Sequence, residues 1–284
     1  MLAPSKPLWQ SVAIPVIYLR RAKGEGSAIP VAPYIASISY HVGYHREMED
    51  PVITDTLDKL TQFKPKSVFL YGSRGRGDAK SDSDYEIGVV FDDEKYAQRS
   101  DIHAAISNPR VKAYPFKWGE LSHGSFGHVF QKSIYMREII KGGQTIAGEH
   151  LVEQISPPPI TILDLIQRLR FDIGMSLAAI LSYRTGDMQT SMEEFSKSCL
   201  FGLRCLEILE LKTFPLGYEE IYKLSDKLVT EPDYQRVIEV AYAQRKNGEV
   251  PSVDVLFDNI SLLEAFIEPK LVKAFNTRGN VEII

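Results

Sequence analysis

The chain has 284 residues, 44% of them hydrophobic, enough for a sizeable core and for two domains. Its net charge of −4 argues against a general nucleic-acid binder. The charge is uneven: residues 1–150 hold 19 basic and 17 acidic side chains, the rest 14 and 20. A slightly basic first half and an acidic second half suit an enzyme of phosphate-bearing small molecules better than an RNA clamp. Two cysteines, Cys199 and Cys205, lie within a helical pattern and read as buried thiols of a reduced, cytoplasmic compartment. No apolar run approaches the ~18 residues that cross a membrane.

Residues 1–50 read as an N-terminal strand extension, with apolar runs at Val12–Leu19 and Ile29–Tyr40. Val12–Leu19 contains Pro15 and is followed by Arg20 and Arg21, so it reads as a strand and not as a signal peptide. His41 and His45 have a metal-ligand spacing, but no helical pattern surrounds them, which favours a polar connector. Val52, Ile53, Leu57 and Leu60 recur with a helical period, predicting a helix over 52–63.

The stretch FLYGSRGRGDAKSDSDYEIGVVF, Phe69–Phe91, follows. Its ends are apolar and β-branched or aromatic, and its centre is rich in Gly, Ser and Asp, so it predicts two strands joined by a polar loop. Side chains two apart in a strand share a face. Asp84 and Glu86 therefore point one way, with backbones roughly 6–7 Å apart, while Tyr85 and Ile87 point to a core. Two neighbouring carboxylates repel unless a cation lies between them. Mg²⁺ accepts one or two carboxylates and completes its shell with water and phosphate oxygens. Gly72 and Ser73 allow a phosphate to approach the backbone closely, and Arg74 and Arg76 add positive charge.

The pattern Gly72-Ser73, ten residues, then Asp84-Tyr85-Glu86 and an apolar run resembles the nucleotidyltransferase superfamily related to DNA polymerase β. The resemblance is to its minimal and aminoglycoside-modifying branches. It implies an α/β nucleotidyltransferase fold with a small mixed sheet. It also implies transfer of a nucleoside monophosphate from an NTP to a hydroxyl, with Mg²⁺. Asp84 and Glu86 would bind the metal, and Gly72, Ser73, Arg74, Arg76 and Ser83 the nucleotide.

Farther on, residues 94–107 are weakly helical. Val111–Leu121 reads as a strand, demoted to an edge or a bulge by Pro115. The family places a third carboxylate on the strand after the pair. Glu120 is the candidate for catalysis and metal binding, with Glu138 and Glu149 behind it. Ser133–Ile140 predicts a helix, capped near Lys141-Gly142-Gly143, on which Lys132 and Arg137 are basic.

Ser156-Pro157-Pro158-Pro159 marks a boundary between a nucleotidyltransferase domain, 1–155, and an all-α bundle, 160–284. Stripes at Ile162–Ile180 and Met192–Leu209 predict two long helices, the second starting at a Ser191/Glu194 capping box. Shorter helices are expected near 218–229 and 233–246, and a long one over 253–275 is interrupted by Pro269. The bundle resembles the higher-eukaryote-and-prokaryote nucleotide-binding domain. Its nuclease versions have a His shortly after an Arg; Arg204 has none, so ribonuclease activity is not expected. The expected acceptor is a small molecule. RNA or protein acceptors, a non-catalytic antitoxin or scaffold role, and homo-oligomerisation stay open.

Overall fold

A computed structural model describes residues 50–81, 83–123 and 132–284. All of them fall within one compact unit, 46–284. The runs at Val12–Leu19 and Ile29–Tyr40 and the pair His41/His45 lie outside the described residues.

Helix α1, Pro51–Leu60, opens with Asp50 accepting the Val52 amide and with proline at its first position, where a missing N–H costs nothing. The second Asp50 oxygen accepts the Tyr85 hydroxyl at 2.6 Å, tying the helix to the strand it covers. Strand β1 (Ser67–Tyr71), the short helix α2 (Gly72–Arg76) and strand β2 (Tyr85–Phe91) follow. Helix α3 (Arg99–Ile106) crosses to strand β3 (Val111–Lys117), which turns at once into helix α4 (Trp118–His123). Helix α5 (Lys132–Gly142) leads into strand β4, Gln144–Gly148.

The sheet order is β3-β2-β1-β4. β1 is antiparallel to both neighbours, and β2 runs parallel to β3. Both faces are covered, so the central strands β1 and β2 are buried almost throughout and do not alternate. On one face Val68, Leu70, Ile87, Val89 and Phe91 pack on Ile53 and Leu60 of α1 and Ile102 and Ile106 of α3. On the other, Phe69, Tyr71, Val90 and Phe116 pack on Met136 and Ile139 of α5. Gly88 is required there: a Cβ would lie 2.1 Å from the Phe69 ring.

After the prolines, helices α6 (Ile162–Thr185) and α7 (Met188–Leu211) form a hairpin about Gly186-Asp187. Helices α8 (Tyr218–Ser225), α9 (Pro232–Asn247), α10 (Val253–Ser261) and α11 (Glu268–Arg278) pack around it on one shared core. A π-helical turn, Leu262–Ile267, joins α10 to α11. The irregularity expected at Pro269 thus falls just before it, and the proline sits in the first turn of α11, where it fits. The expected start of α7 at Ser191 is corrected: the helix begins at Met188 under Asp187, and the Ser191 hydroxyl is buried against the Ala179 carbonyl. The capping box is at α6, formed by Thr161 and Asp164. Cys199 and Cys205 are free and buried. Among the described residues no helix is long and apolar enough to cross a membrane.

Helix α5 joins the two parts because its faces have different partners. Met136 and Ile139 face the sheet, whereas Ile134 enters the core of the helices. Arg137 donates to the carbonyls of Pro158 and Ile284, and Glu138 pairs with Arg204 of α7. The connector is held as well: Ile160 exchanges backbone hydrogen bonds with Ile283 and Ile284.

Candidate active site

The end of β1, the turn into α2 and the start of β2 form the site. Tyr71 pairs with Glu86 across the two strands, and Gly72 follows with φ of 67°. A Cβ on Gly72 would lie 1.7 Å from the Glu86 Oε2. Only glycine both adopts this backbone conformation and leaves room for that carboxylate. Ser73 is half-buried, and its hydroxyl has no hydrogen-bond partner among the described residues.

Glu86 is on the α5 face of the sheet, and Asp84, two residues earlier, is exposed. Burial and then Glu138 push the Glu86 carboxyl up, Arg76 and Lys197 pull it down, and Asp84 pushes it up again; the net shift is upward. No described residue donates a hydrogen bond to Glu86. A half-buried carboxylate that accepts no hydrogen bond and has Asp84 and Glu138 near it is a favourable place for a hard cation. The donor set at this point therefore fits a hard divalent ion held by Asp84 and Glu86. Among the described residues, no cluster of three or more acids, histidines or cysteines converges tightly enough to hold a metal.

Beneath Glu86 lie aromatic side chains. The Tyr71 and Tyr135 hydroxyls are 3.2 Å apart, and burial pushes the Tyr135 hydroxyl up to about 12. Both stay protonated at neutral pH.

The arginines differ in role. Arg74 donates to the carbonyls of Ser81 and Ser83 and stacks at 3.7 Å on the Tyr85 ring, so it braces the loop. Ser83 takes part in that bracing, its hydroxyl accepting the Lys80 amide. Arg76 pairs with Asp78 at 3.2 Å, is 11% exposed, and extends its charge to Glu86 and Glu138.

Glu120 does not join this group, a correction to the sequence reading. β3 runs parallel to β2, with Glu86 beside Lys112 and Phe91 beside Lys117. Glu120 follows Lys117 on α4, where Gly119 donates to Asp93. Five residues at ~3.3 Å place that end of the sheet roughly 16 Å from Glu86. There Glu120 is 45% exposed and lies 4.0 Å from Lys117. The strand position beside Glu86 holds no acid but Lys112. The acid the fold does bring near is Glu138. Burial pushes its carboxyl up, but Arg204, Arg168 and Arg76 outweigh burial and hold it below the usual range. Its position in the middle of a helix between two cores carries no local signal. Glu149, just past the edge strand β4, is exposed.

A cavity of about 630 Å³ opens between α2, the end of α5 and the start of α8, lined by Arg76, Asp78, Lys141, Gly217, Glu220 and Lys223 among others. Asp84 and Glu86 are not in its wall; of the cations near Glu86, Arg76 alone borders both spaces.

A strand, a Gly-Ser turn and a second strand bearing paired acids, backed by a helix and a helical partner, define a nucleotidyltransferase. The model of the polymerase beta nucleotidyltransferase family matches residues 53–144 of this chain. Among solved structures it is similar to a spectinomycin adenyltransferase from Enterococcus faecialis crystallised with ATP and spectinomycin. The identity is 13%, over 78% of this chain and 98% of that one, with a TM-score of 0.54. No curated protein matches in sequence.

Proposed function

We propose that the chain transfers a nucleoside monophosphate from an NTP to a hydroxyl of a small-molecule acceptor, releasing pyrophosphate. The observation that carries this reading is Glu86 packed against Gly72, with Asp84 beside it and no donor for its carboxylate. Asp84 and Glu86 would hold Mg²⁺, which when bound neutralises phosphate charge and acidifies an oxygen it touches. The Ser73 hydroxyl, free among the described residues, donates to a phosphate oxygen, and Gly72 lets that phosphate reach the backbone. Arg76 adds positive charge from a position fixed by Asp78. Positioning and charge account for most of such catalysis, so few side chains need to react.

The cavity between the sheet part and the helices offers room for an acceptor, as small-molecule sites generally require. The same fold accommodates ATP and a small molecule in the spectinomycin enzyme. We assign residues to 155 to the nucleotidyltransferase domain and those from 160 to the helical domain.

Titration calorimetry with ATP, with Mg²⁺ or with chelator, tests the site. The heat of binding should require the metal and vanish in Asp84→Asn and Glu86→Gln. ATP binding indifferent to chelator and to both substitutions overturns the reading. Pyrophosphate release with ATP and a panel of hydroxylated small molecules then identifies the acceptor class.

A further inference from the structure

Resting on that reading, we propose that Arg110, just before β3, is a positioning residue for Asp84: with Arg74 it clamps the backbone that presents this carboxylate to the metal. Asp84 needs such a hold. It is exposed, it precedes the first residue of β2, and no described residue hydrogen-bonds its carboxylate. Its place is therefore set by the two peptide groups that flank it, and Arg110 holds both.

On one side, the Ser83 carbonyl accepts the Arg110 Nη2 at 3.2 Å and the Arg74 Nη2 at 2.8 Å. On the other, the Tyr85 amide donates to the Arg110 carbonyl at 2.8 Å. The Arg110 Nη2 also reaches the Ser81 carbonyl, so one guanidinium ties two points of the loop together. Both guanidinium groups lie against the Tyr85 ring, at 3.7 and 5.5 Å from its centre, and the Tyr85 hydroxyl is anchored on Asp50. Arg110 is itself placed by a turn, in which its amide donates to the Asn108 side chain at 3.0 Å, and by the register that sets Val111 beside Tyr85. Hydrogen bonds from a charged donor are the stronger kind, and the planar guanidinium can serve two carbonyls at once.

The test is calorimetric titration of the full chain with ATP over a series of Mg²⁺ concentrations. Arg110→Met keeps an unbranched side chain and removes the donors. It should raise the Mg²⁺ concentration for half-maximal ATP binding about fivefold, the scale of one net hydrogen bond, while saturating Mg²⁺ restores the parent's Kd. The sign is diagnostic. By charge alone, removing a cation near two carboxylates favours Mg²⁺ and lowers the requirement. In the metal-free variant the Ser83 and Tyr85 amides should exchange hydrogen faster than in the parent. Arg110→Lys keeps the charge but not the fork, and should shift the Mg²⁺ requirement the same way by less. An unchanged or lowered requirement in folded Arg110→Met overturns the proposal. So does an ATP affinity that saturating Mg²⁺ fails to restore, which would put Arg110 on the phosphates. If Arg110→Met does not fold, Arg110→Lys decides by the same criteria. If Asp84→Asn has lost binding while Arg110→Met behaves as the parent, this proposal falls and the functional reading stands. If the parent chain shows no metal-dependent ATP binding, both fall together.

Discussion

Replacing Glu138 by Gln tests how the two parts are joined. Gln keeps the shape and one acceptor but removes the charge facing Arg204. That guanidinium is 2% exposed, stacked 4.6 Å from the Phe201 ring and 5.0 Å from Phe214. Arg168 nearby is already neutralised by Asp172 in a two-pronged contact. Arg204 would thus be left buried without the carboxylate it is paired to, the nearby Asp172 being engaged by Arg168. Removing one partner of a buried pair costs about 3–5 kcal/mol. The 20% exposure of Glu138 and the acceptor that Gln retains put this case near the lower end, about 3 kcal/mol. At about 2–4 °C per kcal/mol, Tm should fall by about 6–12 °C at pH 7. Adding Arg204→Met should recover much of the loss, because it removes the stranded charge.

The pH dependence has a definite sign. The folded state holds Glu138 below its ordinary value of 4.5, so its contribution is complete above 4.5 and disappears as pH falls through the lower folded pKa. Melting curves of parent and variant should converge in acid. A Tm within about 1 °C of the parent at pH 7, or a difference unchanged into acid, would refute the reasoning.

Gly72→Ala should abolish metal-dependent ATP binding, because the new methyl occupies the place of the Glu86 carboxylate; retained binding in the titration would contradict the geometry. Glu207 is buried with neither oxygen hydrogen-bonded among the described residues, and burial, against Arg204, pushes its carboxyl up to about 9. A raised folded pKa means stability lost as pH rises from the unfolded value of 4.5 toward 9, about 4 kcal/mol between pH 5 and 8. Glu207→Met should therefore raise Tm at pH 8 much more than at pH 5, and an equal effect at both would sink the assignment. Limited proteolysis should spare the proline connector, since Ile155 and Ile160 are buried and Pro158 is held by Arg137; early cleavage there would show that the clasp opens.

The local chemistry was legible because it is contiguous. Gly72, Ser73, Asp84 and Glu86 lie within one strand–turn–strand, and strand alternation alone puts the two acids on one side and Tyr85 and Ile87 on the other. The helical stripes of α6 and α7 were legible for a similar reason, since their period of 3.6 is written along the chain. Strand β4 was not, because Gln144–Gly148 is short and half-exposed, and Thr145 and Ile146 are its only β-branched residues. Glu120 was misplaced because strand direction is not a local property. Crossing over through α3 makes β3 parallel to β2, so its last residues end beside Phe91 and far from Asp84. Arg74's local contacts were not legible either: in the folded loop its guanidinium meets the Ser81 and Ser83 carbonyls and the Tyr85 ring. Glu138 and Arg204 are separated from the motif by 50 residues or more and meet it only through the packing of α5 against α7. The sequence by itself determined which residues could do chemistry on phosphates. The tertiary structure decided which charges stand around them, because that depends on how helices far apart in the chain dock on one another.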